Sequence, residues 1–287
     1  MSHSTLSLSP RIRLFDGLTL AAICGGVVWL SLRALNDFNY EWDWARAWTF
    51  ISTPNDAYNG LSYFAFSIVN TLKIAMWVTL FSGIIGLFSG LARTSRFHTL
   101  RILSTTYVGI IRNIPPLVSV FIFYFFIVAQ LTPLLPLDTI RSWLSEGSLR
   151  QSILAEPTLF ENMFSGIIAL SIIEGAFITE IVRGGVQAIP KGQSEAGKSL
   201  GLSSTQTLIH IILPQLLKII RLPLGNSTVS ILKNTAILSL ISVQDLTFAA
   251  QEMANSSGLV FEIWIFTAAI YLGLCISLDQ SLQRLLR

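Results

Sequence analysis

Charge is what this sequence has least of. Only 12% of its 287 residues are Asp, Glu, Lys or Arg, whereas 52% are hydrophobic; a typical soluble domain carries about 25% charge. The two cysteines, Cys24 and Cys275, both fall inside apolar runs. No disulfide framework is indicated, and both are expected to be small packing residues. The three histidines, His3, His98 and His210, are dispersed. Nothing has metal-ligand spacing, and no nucleophile–base pair can be argued, so catalysis finds no support and no cofactor is expected in this chain. The net charge of +3 is small, and its distribution points to membrane topology, not to nucleic acid.

What is abundant is long apolar runs. A membrane helix needs roughly 20 mostly apolar residues to cross about 30 Å of hydrocarbon. Six candidate spans follow, at residues 18–35, 67–91, 105–131, 162–186, 224–243 and 259–278. They use up nearly the whole chain and leave no room for a soluble enzyme domain. Arg11 and Arg13 precede the first run as in a signal peptide, but the run is long and Leu30, Ser31, Leu32 and Arg33 give no small-x-small cleavage pattern. It is expected to be a retained helix. The fold expected is an all-α integral membrane bundle of six helices.

Basic residues orient such a bundle, because Lys and Arg gather in cytoplasmic loops. They fall in the N-terminal arm (Arg11, Arg13), the second-to-third connection (Arg93, Arg96, Arg101), the fourth-to-fifth (Lys191, Lys198, Lys218, Arg221) and the tail (Arg284, Arg287). Arg33, Arg46, Arg141 and Arg150 run against the pattern. Both termini are expected to be cytoplasmic. Tyr40, Trp42, Trp44 and Trp48 put four large rings within nine residues, which suits a segment lying along the outer interface.

The most informative stretch is 188–221. Pro190 and Gly192 are expected to break the incoming helix, with Ser194 capping a short new one in front of Glu195. Ala196 and Gly197 allow close approach, Leu200 and Leu202 offer apolar contact, and Gly201 supplies a left-handed terminus. The expected product is a short helix across the cytoplasmic face, at about 193–201, shaped as a docking peg. Residues 192–199 also fit G-x-x-x-x-G-K-S, the phosphate loop of ATPases. That motif works only between a buried strand and a helix of a parallel sheet, and here it follows a membrane helix. The match is read as accidental.

The spacing Glu195-Ala196-Gly197, three residues, Gly201, nine residues, Ile211, one residue, Leu213-Pro214 resembles the EAA signature of ABC importer permeases. GAFITEIVRGG at 175–185, IPKGQSEAGKSLGLS at 189–203, ILPQ at 212–215, LKNTAILSLISVQDL at 232–246 and RNIPPLVSVFIFYF at 112–125 resemble the polar amino acid permease branch. The resemblance covers roughly 65–285. Two departures stand out: Gly197 replaces the usual second alanine, which should loosen the short helix slightly, and residues 1–60 precede the five-helix core. The domains expected are therefore an N-terminal helix and aromatic loop at 1–60 and an importer transmembrane domain at 61–287.

The resemblance implies a permease in a bacterial inner membrane that moves an amino acid. Its partners would be a second permease, identical or related, two ATPase subunits that hold ATP and Mg, and an extracytoplasmic binding protein. Glu195, Ala196, Gly197, Leu200, Gly201 and Leu202 would form the coupling helix seated on an ATPase, with Glu195 in polar contact. The competing reading is a secondary transporter or channel driven by an ion gradient, and a third is a membrane enzyme using intramembrane carboxylates. Neither explains the 195–214 segment.

Ionisable groups inside spans are costly and face protein or a watery cavity. Glu174, near the middle of its span, needs a cation: a substrate ammonium on the pathway, or a structural partner such as Lys233. The family's pockets lie at this level, which favours the pathway. Asn113, Lys233 and Asn234 are further candidates for it. Glu180 and Arg183, three apart on one helix face, are expected to pair in a structural or gating role. Pro214 is also expected to be structural or gating. Gly83, Gly86 and Gly90 are expected to mark a close helix-packing face.

Overall fold

The computed structural model describes residues 17–26, 28–29, 33, 40–54, 60–128, 130, 132–134, 136–145 and 157–286. Two compact units emerge, 1–43 and 44–287. In the first, α1 (Gly17–Gly26) is a short apolar helix, Arg33 lies over the Trp29 ring at 5.4 Å, and Tyr40 meets Trp42 edge-on. The expected first span runs partly beyond the described residues, as do Arg11, Arg13, Arg150 and Arg287.

The second unit contains α2 (Trp44–Ser52), α3 (Tyr63–Thr94), α4 (His98–Asn113), α5 (Pro116–Val128), α6 (Leu137–Ser145), α7 (Phe160–Ala188), α8 (Lys191–Ser199), α9 (Ser204–Ile241), α10 (Leu246–Ser257) and α11 (Val260–Leu286). Helices α3, α7, α9 and α11 are each long and apolar enough to cross a membrane. The pair α4 and α5 adds a fifth span if counted as one, although it bends by 113°. Pro115 and Pro116 explain the bend: neither offers an N–H, and each disfavours helical backbone in the residue before it. The kink falls after the 16 residues of α4.

Helix α7 is the hub. In its apolar window 72% is buried, against 33%, 11% and 17% for α3, α9 and α11. Lipid tails are as apolar as leucine, so such contacts depend on close packing and small residues. Gly86 and Gly90 of α3 supply it: a Cβ at Gly86 would overlap Ile178, and one at Gly90 would come within 2.5 Å of Val182. Gly175 answers from α7, where a Cβ would meet Ile85 at 2.7 Å. Gly83 faces open space and takes no part. Tyr107 of α4 donates to the Ile172 carbonyl at 2.5 Å, fixing α4 beside α7.

At the α10 end, a second apolar cluster joins α2, α3, α10 and α11 through Ala47, Ile51, Phe64, Ala250 and Ile263. Trp44 and Trp48 pack on Phe266 of α11. Asp245 caps α10 by accepting from the Phe248 N–H at 2.9 Å. The N–H of Leu246 donates to Thr71 of α3 at 2.9 Å.

The fifth expected span is longer than the reading of 224–243. Helix α9 begins at Ser204, behind a reciprocal cap of Ser203 and Gln206, and so takes in Lys218 and Arg221. It widens at Leu208–Ile212 just before Pro214, whose missing N–H leaves the His210 carbonyl without its usual donor. It tightens at Thr235–Ile241 and ends at Ser242, in left-handed backbone at φ 60°.

Candidate functional site

Halfway along the hub helix, Glu174 is 4% exposed. Gly175 and Ala176 follow it and leave room for neighbouring helices. Its carboxylate accepts a hydrogen bond from Asn234 Nδ2 at 2.7 Å. Asn234 stands where α9 changes from α to the tighter 3-10 geometry, a turn held by Thr235 donating to the Leu232 carbonyl at 2.9 Å. Among the described residues Glu174 has no ion-pair partner. A buried carboxylate with one neutral donor keeps most of its capacity to bind a cation.

Two turns along α7, toward α8, Glu180 gathers three arginines. Arg183 Nε donates to its Oε2 at 2.7 Å, Arg93 of α3 pairs with Oε1, and Arg112 of α4 reaches Oε1 at 3.4 Å. Arg112 also lies over the Phe177 ring at 5.6 Å. One acid thus holds together three helices, α3, α4 and α7. The group is partly exposed, so its worth lies in orienting the helices more than in bulk stability.

Beyond Ala188 the chain turns at Ile189 and Pro190 and starts α8 at Lys191. Pro190 is the N-cap residue, with no side-chain cap bond. The helix closes on Gly201, at φ 76°, through bonds from Gly201 N to Lys198 O at 2.9 Å and from Leu202 N to Gly197 O at 3.1 Å. One face is anchored: a Cβ on Gly197 would come within 3.0 Å of Thr207 and Ile211, and Gln215 donates to Gln193 at 3.2 Å. The other faces are open, with Glu195 and Ala196 exposed and Leu200 77% exposed. What results is a short, rigidly held rod presenting a carboxylate and a leucine.

Residues 82–287 match the family of binding-protein-dependent transport system inner membrane components. The chain belongs to this family. It is therefore a multi-pass inner-membrane permease component of an ABC importer, a class that works with ATPase and substrate-binding components. Among its relatives is the probable glutamine ABC transporter permease protein GlnM of Bacillus subtilis (strain 168), 34% identical over 228 residues that cover 79% of this chain and 94% of that one. The glutamine transport system permease protein GlnP of Escherichia coli (strain K12) is 29% identical over 251 residues, 86% of this chain and 97% of that one. The backbone is similar to a crystal structure of an amino acid ABC transporter with histidines, at TM-score 0.62 and 28% identity, covering 78% of this chain and 93% of that one.

Against the permease fold, the residues singled out in the sequence sort into three groups. Glu174 and Asn234 meet, and Glu180 and Arg183 pair as their spacing suggested. Lys233 is exposed and forms no ion pair with Glu174 among the described residues, and Asn113 is exposed and donates to its own helix at the Gly109 carbonyl. Ser194 does not cap α8, since the helix has begun three residues earlier at Lys191; Gly192 lies inside it, and Glu195 stands beyond the first turn. The physical reason is that Pro190, which has no N–H to bond back into α7 and a fixed φ, ends one helix and lets the next begin directly at Lys191 without a side-chain cap. Arg93 and Arg112 were missed as partners of Glu180. Arg93 was read as a topology signal and Arg112 as part of a motif, and only the three-dimensional packing brings them to one carboxylate.

Proposed function

We propose that this permease forms, with an identical or related second copy, the translocation path of an ATP-driven amino acid importer. The cargo class rests on the relatives' names, glutamine and amino acid transporters among them. Residues 1–60 are an added N-terminal segment, and 61–287 are the importer domain. Both termini are cytoplasmic, as the distribution of Lys and Arg implies. Glu195, Ala196, Gly197, Leu200, Gly201 and Leu202 form the segment that couples to a separate ATPase. ATP and Mg belong to that ATPase, and an extracytoplasmic binding protein delivers the substrate. The helical state of 192–199 supports this division, because a phosphate loop needs an open turn of backbone N–H groups that a helix uses internally.

The observation that carries the cargo reading is the burial of Glu174 on the hub helix with Asn234 as its neutral partner. A substrate ammonium supplies the missing cation, so neutral or cationic amino acids are favoured over glutamate and aspartate. In proteoliposomes, Glu174→Gln should cut uptake of neutral and basic amino acids at least about tenfold, the equivalent of about 1.4 kcal/mol, while the complex still assembles. Adding Lys233→Met should not restore it. Normal uptake by Glu174→Gln would make the residue a spectator.

A further inference from the structure

At the α8 end of the unit, a cleft of about 1190 Å³ opens between the end of α3 and the starts of α4, α8 and α9. Its lining is layered. Phe88, Leu91 and Leu103 form apolar walls, and Arg96, Lys191 and Lys198 stand where the spans end. No Asp or Glu lines it. Among the described residues, none of the three basic groups is in an ion pair.

Three helix starts add to this field. Phe97 and Pro190, the N-cap residues of α4 and α8, lack side-chain cap bonds, and Ser204 and Thr205 begin α9; all four line the cleft. Helix N-termini carry partial positive charge and unpaired N–H groups. Thr207, 4% exposed, also lines the cleft, and its hydroxyl has no hydrogen-bond partner. Lys191, Ser194 and Lys198 recur at three and four residues, so they share the face of α8 that borders the cleft. Glu195, four residues after Lys191 and three before Lys198, lies on the same side of α8 but does not line the cleft.

From this charge complementarity we infer that the cleft is a binding site for an anionic phospholipid. The acyl chains run along Phe88, Leu91 and Leu103, and the phosphate lies among Arg96, Lys191 and Lys198. Basic residues at the ends of spans attract anionic headgroups, each contributing on the order of 1 kcal/mol near a charged surface. Leu200, at the far end of α8, stays exposed beside the lipid.

The test uses the full chain assembled with its ATPase, purified in detergent and titrated with phosphatidylglycerol or phosphatidylcholine. Native mass spectrometry counts the retained lipid. Phosphatidylglycerol should be retained at least about tenfold more readily. The triple variant Arg96→Ala, Lys191→Ala, Lys198→Ala should lose that preference, and Arg284→Ala, outside the cleft, should keep it. Should the triple variant fail to assemble, Leu103→Trp fills the apolar part with all charges in place and should expel the lipid. Equal retention of the two lipids, or undiminished preference in the variants, overturns the proposal. So does displacement by inorganic phosphate, which would mark a soluble anion. Preference seen only in the unassembled chain would mean that protein covers the cleft, and that overturns it too.

Discussion

Gly86 and Gly90 set how near α3 comes to the hub helix, and that approach is what the fold depends on at residue scale. Gly86→Leu should separate the two helices, at a cost of about 1–3 kcal/mol or more from overpacking, and lower the thermal midpoint of the purified protein. Gly83→Leu, facing open space, should leave the midpoint nearly unchanged. Equal effects would refute the packing account. The glycine stripe was legible in the sequence, but which glycines are used was not, because helix rotation is decided by side chains on the partner. Glu174 was legible for a different reason: a carboxylate in an apolar run announces itself. Its partner was harder to choose, since Lys233 and Asn234 are adjacent in sequence and only the rotation of α9 brings Asn234 to the carboxylate.

At the scale of elements, α8 and α10 each stand on one terminus. Gly201→Pro cannot adopt φ 76° and removes the N–H that reaches Lys198, so α8 should fray at its end. With Glu195→Arg the helix should persist, because the residue is exposed and beyond the first turn. Both changes should leave a folded, inserted permease whose uptake falls at least about tenfold. Near-normal uptake with ATPase stimulation intact would show that α8 is not the coupling element. For α10 the handle is Asp245, whose carboxyl is pushed up to about 7 by burial, against the pull of the Phe248 and Thr247 N–H groups and Tyr271. A raised carboxyl pKa means the folded state holds its proton longer than the unfolded one. The contribution to stability is therefore full below about pH 4 and lost as pH rises toward 7. Asp245→Asn should remove that slope, on the order of a few kcal/mol, in thermal unfolding between pH 4 and 7. An unchanged slope would assign the titration elsewhere. The sequence placed α8 within two residues at each end but gave the cap to Ser194, because a hydroxyl is the commoner start signal and Pro190 was read only as a breaker.

For the whole molecule, apolar length and the order of motifs sufficed to name an importer permease, while the count of spans did not follow as simply. The third run breaks by 113° at paired prolines, and the fifth extends back to Ser204, since composition alone does not mark where a polar helix enters the membrane. The charged layer around Glu180 and the layered cleft beside α8 are properties of assembly and could not be seen along the chain. Division of labour between a passive path and a separate ATPase is the central claim, and energy source tests it most directly. Proteoliposomes should contain this permease, its partner permease, the ATPase and the binding protein, with a radiolabelled neutral amino acid outside. The account predicts accumulation that requires internal ATP and survives ionophores that collapse proton and sodium gradients. Accumulation by the permease without ATP, abolished by those ionophores, would contradict it.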